Sequence, residues 1–377
     1  MVVRKADIWH LKLAFLSPIK HNLATHQGSE NLVIKVTTEE GAAGYGEGVP
    51  RAFVTGETLT ASLAFLREIL APGLLKVPLT GPQELLATLE GRFQGLPGAE
   101  AHPAACCALE MALLDAGGRT WGRSVGDFLG ARLHDQVTYS AVLPQAPPEQ
   151  MARLFQLVKA NGMRFLKLKV GADQDLAMLA QAREELGWDL DLRVDANCAW
   201  TPAEAIERLK EMQRFRLSAV EQPVAKDDFE GLRQVQDALG IPVIADESLC
   251  RETDARKLLE LKACRIFNLR LSKCGGLWAA ARIRQLAEAA GVSCQLGCHV
   301  GETSILSAAG RHFALSSPRL AYLEGSFSPF LLRRDPVAEP VTFAHGGAAG
   351  GLPGPGLGVA VLDAVLDELA VSRVTVP

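Results

Sequence analysis

From Gln136 onward the chain repeats one pattern of apolar and polar positions. A short run of branched and aliphatic residues is followed by a longer stretch with apolar residues at helical spacing, and a turn signal closes each unit. "QVTYSAVLP" (136–144) precedes "PEQMARLFQLVKANG", where Met151, Leu154, Leu157 and Val158 share one helical face and Gly162 stops the helix. The same alternation gives strands at "FLKLKV" (165–170), "DLRVDAN" (191–197), "LSAVEQP" (217–223) and "IPVIADES" (241–248). It continues through "RIFNLRLSKCGG" (265–276), "VSCQLGCHVGE" (292–302) and "LAYLEGS" (320–326). Among the intervening helices, "TPAEAIERLKEMQRF" opens on Thr201-Pro202, an N-cap followed by a first helical proline. Eight strands in units of roughly 25 residues predict an α/β fold built as a closed parallel barrel. After the last strand, "FSPFLLRRDPVAEP" is broken by proline and predicts no helix, so the expected form is a modified TIM barrel, (β/α)7β.

The first 130 residues read differently. "DIWHLKLAF", "NLVIKVTTEEG" and "AAGYGEG" predict an antiparallel meander, with helices expected near 57–70, 82–93 and 101–118. The expected organisation is an α+β capping domain over 1–130, a catalytic barrel over 131–326 and a C-terminal segment over 327–377. That last segment holds the Gly- and Pro-rich "AHGGAAGGLPGPGLG" (344–358), then "VAVLDAVLDEL", and is expected to return to the capping domain.

Charges interrupt this pattern at particular places. Lys167 and Lys169 alternate along one strand and point to one face. Unpaired buried lysines are costly, so that face meets either solvent or an anion. Asp195, Glu221, Asp246 and Lys273 each fall at the C-terminal end of a predicted strand, the end where barrels carry their active sites. The carboxylates are 26 and 25 residues apart, one βα unit each, so three neighbouring strands would present them to one point. Three hard oxygen ligands without His or Cys suit Mg²⁺ or Mn²⁺. The lysines then face a cavity holding a metal-bound anion.

Composition removes other functions. A formal charge of −4 with pI near 6.1 offers no footprint for nucleic acid. No apolar run approaches the roughly 20 residues of a membrane span, and "MVVRKADIWH" lacks a signal-peptide core. The eight cysteines are scattered without a CxxC pair and read as buried thiols in a reducing, cytoplasmic compartment.

The motifs "KLKVG", "RVDANCAW", "VEQPV", "ADES" and "NLRLSKCGG", with "GYGEG", "TGET", "ALEMALLDAGGR" and "GPGLGV" outside the barrel, resemble the enolase superfamily. Within it they are similar to the muconate lactonizing enzyme subgroup of the mandelate racemase/muconate lactonizing enzyme family. The resemblance implies that Asp195, Glu221 and Asp246 bind Mg²⁺, which holds a substrate carboxylate and stabilises the enediolate formed on α-proton removal. It implies Lys169 as base on one face and Lys273 as acid/base on the other, with Lys167 lowering the pKa of Lys169 by like-charge repulsion. Glu247 is expected to support Lys273 or the metal shell, and Asn197 of "RVDAN" to lie beside the ligands.

The substrate is expected to be a small carboxylate. Loops 17–30 and 50–57 are the expected lids, with His21, His26 and Arg51 as polar candidates. His299 and Glu302 close the seventh strand; Glu302 is expected to begin a helix, where the dipole favours a carboxylate. Dipeptide epimerases of the family commonly carry Asp-x-Asp on the eighth strand for the substrate's free ammonium, where this chain has Glu324 and Ser326. The resemblance thus implies a racemase or epimerase of an acylated amino acid or dipeptide-like substrate. The alternative is a muconate-type cycloisomerase or an o-succinylbenzoate synthase-like lyase. A homo-oligomer is likewise implied by the resemblance.

Overall fold

The computed structural model describes residues 1–21 and 24–377, with the side chains of 19–26 and 92–95 outside the description. The predicted side chains of His21 and His26 therefore lie outside the described residues. The capping sheet is antiparallel, built from β1 (Val3–His21), β2 (Ala24–Thr38) and β3 (Ala43–Gly48). β3 shows why its sequence alternates. A Cβ on Gly44 or Gly46 would lie 2.2 or 1.9 Å from the carbonyl oxygens of Ala112 or Ala108, so only glycine lets the helix Pro103–Trp121 pack this closely. Tyr45 and Glu47 point the other way, as a period of two requires.

The barrel follows. β4 (Gln136–Thr138) precedes the parallel strands β5 (Ala141–Leu143), β6 (Phe165–Lys169), β7 (Asp191–Asp195), β8 (Leu217–Glu221), β9 (Val243–Ala245), β10 (Ile266–Leu269) and β11 (Ser293–Leu296). β5 to β11 form one sheet in sequential order. The eighth predicted strand is reduced to a short extended segment that closes the ring. Glu324 N–H donates to the Leu296 carbonyl at 2.8 Å on one side, and Leu323's carbonyl accepts from Ser140 N–H at 2.8 Å on the other. The next helical element after it is the single turn Ser328–Leu331.

Sequence signals set the helix ends. Thr201 caps Pro202–Met212 in a reciprocal box with Glu204, as the Thr-Pro start predicted. Thr201→Ala is expected to lower stability by about 1 kcal/mol in urea unfolding without altering activity, because the cap lies on the solvent side of the barrel. After β12 (Ala348–Gly350), which pairs with β4, the chain ends in β13 (Ala370–Val376), which pairs with β1 from Ala6↔Val376 to Leu11↔Ala370. The C-terminal segment thus adds the outer strand of the capping sheet.

One connection between the units comes from a residue no local pattern marks. Glu47 accepts from the Thr303 N–H (2.9 Å), the Thr303 hydroxyl (2.6 Å) and the Leu306 N–H (3.0 Å), filling the N-terminus of the barrel helix Ser304–Leu315. The sequence assigned that place to Glu302. The helix instead starts at Ser304, after the N-cap Thr303, and Glu302 accepts from His299 N–H and the Ser307 hydroxyl. The carboxylate serving the helix dipole is supplied by the capping sheet.

Candidate active site

Strand register places the charged residues in layers. Lys169 of β6 is the register partner of Asp195 on β7, and Asp195 that of Glu221 on β8. Asp246 lies two residues beyond Ile244, the partner of Glu221, and so continues the row on the same face. All three carboxylates are fully buried. One layer deeper, Lys167 is the partner of Arg193.

The buried lysine is paired rather than left facing apolar packing. Lys167 Nζ lies 3.1 Å from Glu221, 3.4 Å from Asp195 and 2.8 Å from Glu324. Burial opposes its charge, but these carboxylates outweigh it and raise its pKa. Glu324 also accepts from Arg193 Nη2 at 2.5 Å; burial disfavours its ionisation, yet Lys167 and Arg193 overcome this and hold its pKa at about 2. The expected substrate contact at Glu324 is therefore already occupied by two protein cations. Ser326 is similarly engaged, accepting from Arg311 at 3.3 Å.

Lys169 Nζ donates to Asp195 at 2.5 Å and to Asn197 Oδ1 at 2.8 Å. Asn197 Nδ2 donates in turn to Glu247 at 3.0 Å, so Glu247 reaches Lys169 through Asn197. On the far side, Lys273 Nζ is buried and donates to the Asp246 carboxylate (2.9 Å), the Asp246 carbonyl (2.6 Å) and the Asn268 carbonyl (2.9 Å). Burial lowers its pKa. A lysine so placed releases its proton more readily than one in water.

Neutral amides that the sequence reading passed over orient the carboxylates. Asn268 Nδ2 and Gln295 Nε2 donate to the two oxygens of Glu221 at 2.9 and 2.8 Å. Gln222 Oε1 accepts the backbone N–H of Asp246 at 2.9 Å and of Ser248 at 3.1 Å, fixing the loop after β9. Asn197, Cys198, Gln222 and Ser326 all have positive φ, so strained backbone gathers at the strand ends around the site.

The donor set fits a hard divalent cation. Its side chains offer only oxygen, and among the described residues the buried acceptors Glu247 Oε2, Asn268 Oδ1 and Gln295 Oε1 have no donor. Among the described residues no three acids, His or Cys converge as they stand into a coordinating cluster. Lys167 bridges Asp195 and Glu221 instead, while Arg270 pairs with Asp246 and lies 3.8 Å from Glu221. A bound ion would need carboxylate oxygens that Lys169 and Arg270, both on flexible stems, hold here.

His299 is buried, and burial together with the charges of Arg270, Arg51 and Lys273 pushes its pKa well down, so it is neutral. Arg51 is half-buried at the junction of the capping loop and the barrel.

The capping unit matches the model of the mandelate racemase/muconate lactonizing enzyme N-terminal domain over residues 5–130, and the barrel matches the enolase C-terminal domain-like model over 150–365. The chain belongs to the mandelate racemase/muconate lactonizing enzyme family. Within the enolase superfamily, this family member is 31% identical to the L-Ala-D/L-Glu epimerase of Bacillus subtilis over 95% of this chain and 97% of that one. Its fold superposes on the N-succinyl Arg/Lys racemase of Bacillus cereus with a TM-score of 0.92 at 28% identity, covering both chains fully. The dipeptide epimerase of Cytophaga hutchinsonii, solved with Mg and D-Ala-L-Val, gives a TM-score of 0.89 at 27% identity over the full length of both chains. These relatives are epimerases and racemases, and the chain is an isomerase of the enolase superfamily. No described helix is long and apolar enough to cross a membrane.

Proposed function

We propose that this enzyme racemises or epimerises the α-carbon of an N-acylated amino acid whose acyl group carries no ammonium. Lys169 and Lys273 exchange the α-proton, and Asp195, Glu221 and Asp246 hold Mg²⁺, with Mn²⁺ as its chemical equivalent. The observation that carries this reading is the strand order. β6 and β10 are four steps apart around the barrel; Lys169 ends β6 and Lys273 lies in the short helix Leu271–Cys274 directly after β10, so the two lysines approach from opposite sides of the barrel axis, with the three carboxylates at the ends of the strands between.

Bound Mg²⁺ supplies Lewis-acid stabilisation of the substrate carboxylate as negative charge builds on it. The neutral amine of one lysine takes the proton from the α-carbon and becomes ammonium. The ammonium of the other then delivers a proton to the opposite face and becomes an amine. Two bases that exchange roles suit a 1,1-proton transfer in both directions. Asn197 holds Lys169 toward this point, while the Asp246 and Asn268 carbonyls hold Lys273.

The acyl preference rests on Glu324. With both its cation partners internal, the eighth strand offers no spare carboxylate to an incoming ammonium. A buried ammonium left unpaired there is costly. N-Propionyl-alanine and Ala-Ala differ chiefly in that group. With Mg²⁺ present, kcat/KM for α-inversion is expected to be at least about tenfold higher for the propionyl compound, the factor set by one charge-assisted contact. A preference for Ala-Ala, or lactone formation from cis,cis-muconate without α-inversion of either compound, would overturn the reading.

A further inference from the structure

One segment of the capping domain crosses the C-terminal face of the barrel and is fixed at both ends. Val49 N–H donates to the Ser272 hydroxyl at 2.8 Å, next to Lys273. Glu57 accepts from the Ser62 hydroxyl at 2.7 Å and from the Ala104 N–H at 3.0 Å, at the start of the helix Pro103–Trp121. Between these anchors residues 50–56 form a strap containing the single turn Ala52–Thr55, which ends on Gly56 with a φ of 79°. Arg51 holds the strap to the Val300 carbonyl at 3.0 Å, beyond β11. At the turn, Lys226 Nζ donates to the Val54 carbonyl at 3.1 Å from the loop after β8. Cys250 Sγ, after β9, lies 4.0 Å from the same oxygen. The strap thus touches the loops that follow β8, β9, β10 and β11.

Lys226 is joined to the candidate site through its own backbone. The Ser248 hydroxyl donates to the Lys226 carbonyl at 2.6 Å and accepts from Gln222 Nε2 at 2.7 Å. Gln222 Oε1 accepts the N–H groups of Asp246 and Ser248 at 2.9 and 3.1 Å. One chain of hydrogen bonds therefore runs from the strap at Val54 through Lys226, Ser248 and Gln222 to the backbone of Asp246. Gln222 and Ser248 are buried, where linked hydrogen bonds reinforce one another. The end anchors of the strap are buried, whereas Lys226 is half-buried on a flexible four-carbon stem. The strap can therefore open at its turn while its ends stay fixed.

We propose that Lys226 is a positioning residue that latches the strap to the loop carrying Asp246, so that filling the metal site and closing the strap are coupled. The inference rests on the metal-site reading above. Lys226 touches neither substrate nor metal in this account; it acts through the Val54 carbonyl on one side and through Ser248 and Gln222 on the other. A cation bound at Asp246 orders the loop after β9, and the hydrogen-bond chain passes that order to the strap. By reciprocity, a closed strap favours the ordered loop.

Amide hydrogen exchange of peptides covering 50–57 and 244–250 is measured with and without saturating Mg²⁺ for wild type, Lys226→Met, Lys226→Arg and Ser248→Ala. In wild type, Mg²⁺ is expected to slow exchange of the strap about fivefold or more. Lys226→Met is expected to speed strap exchange about tenfold without metal and to remove the Mg²⁺ effect. Lys226→Arg, which keeps a cationic donor for Val54, is expected to restore part of both. Ser248→Ala leaves Gln222 Nε2 its bond to the Val224 carbonyl, and it is expected to keep the latch while losing the Mg²⁺ effect. A Lys226 that merely props the turn would give Lys226→Met the same acceleration with and without Mg²⁺, and that result overturns the proposal. A full Mg²⁺ effect in Ser248→Ala overturns it too. Slowing by Mg²⁺ at 244–250 but not at 50–57 in wild type overturns the coupling and leaves the metal-site reading standing. No response to Mg²⁺ at either peptide would remove both.

Discussion

Lys273→Ala is expected to lower racemisation by about 10³-fold or more, with Mg²⁺ binding retained, and Lys169→Ala to do the same. Each lysine is the group assigned to proton transfer on its face, so the other cannot replace it. The loss should appear in kcat, because neither ammonium is asked to hold the ground-state substrate. Lys273 also has a structural part, since its three acceptors from Asp246 and Asn268 lose their donor in the Ala variant. Lys273→Arg keeps a buried cation near those acceptors but cannot become a neutral amine under working conditions. It is expected to be as inactive as Lys273→Ala while nearer wild type in thermal stability. Substantial racemisation by the Arg variant would show that Lys273 acts through its charge rather than by moving a proton.

The largest stability effect is expected from Glu324→Ala. Removing that carboxylate leaves Lys167 and Arg193 buried near each other with a shared partner gone. Breaking a buried pair on one side typically costs about 3–5 kcal/mol, and the loss here should fall in that range by urea unfolding. The pH dependence has a definite sign. The folded pKa of Glu324, about 2, lies below its ordinary value of 4.5, so its contribution is fully present above 4.5 and is lost as pH falls toward 2. The gap between wild type and Glu324→Ala should therefore be constant from about pH 6 to 8 and shrink below about pH 4. A gap within 1 kcal/mol at neutral pH would mean that water or rearrangement already serves the two cations.

The proposed catalytic set was legible because it violates strand patterning. Lys167, Lys169, Asp195, Glu221 and Asp246 are charged residues at positions where a parallel strand should be apolar, and their spacing repeats with the βα unit. Arg193 obeys the same rule, alternating with Asp195, and carries the same signal. Asn268, Gln295 and Gln222 carry no charge, so nothing in the local pattern separates them from ordinary strand and loop residues. Glu47 could not be placed locally, because the helix end it fills is 256 residues away. Glu302 was misassigned for the complementary reason: a carboxylate near a helix start looks like a cap until a distant one is seen to occupy the place. The eighth strand was legible as apolar alternation, but its use of Glu324 depended on Lys167 and Arg193 from two other strands.

The most direct test of the two-lysine account is α-proton exchange by the single-lysine variants in D₂O. Lys169→Ala and Lys273→Ala, each with Mg²⁺, are incubated with the separate enantiomers of one N-acylated amino acid, and α-deuterium is followed by NMR. The account predicts that each variant exchanges the α-proton of one enantiomer only, that the two variants choose opposite enantiomers, and that neither inverts configuration at an appreciable rate. Exchange of the same enantiomer by both variants, or of both enantiomers by either, would contradict it.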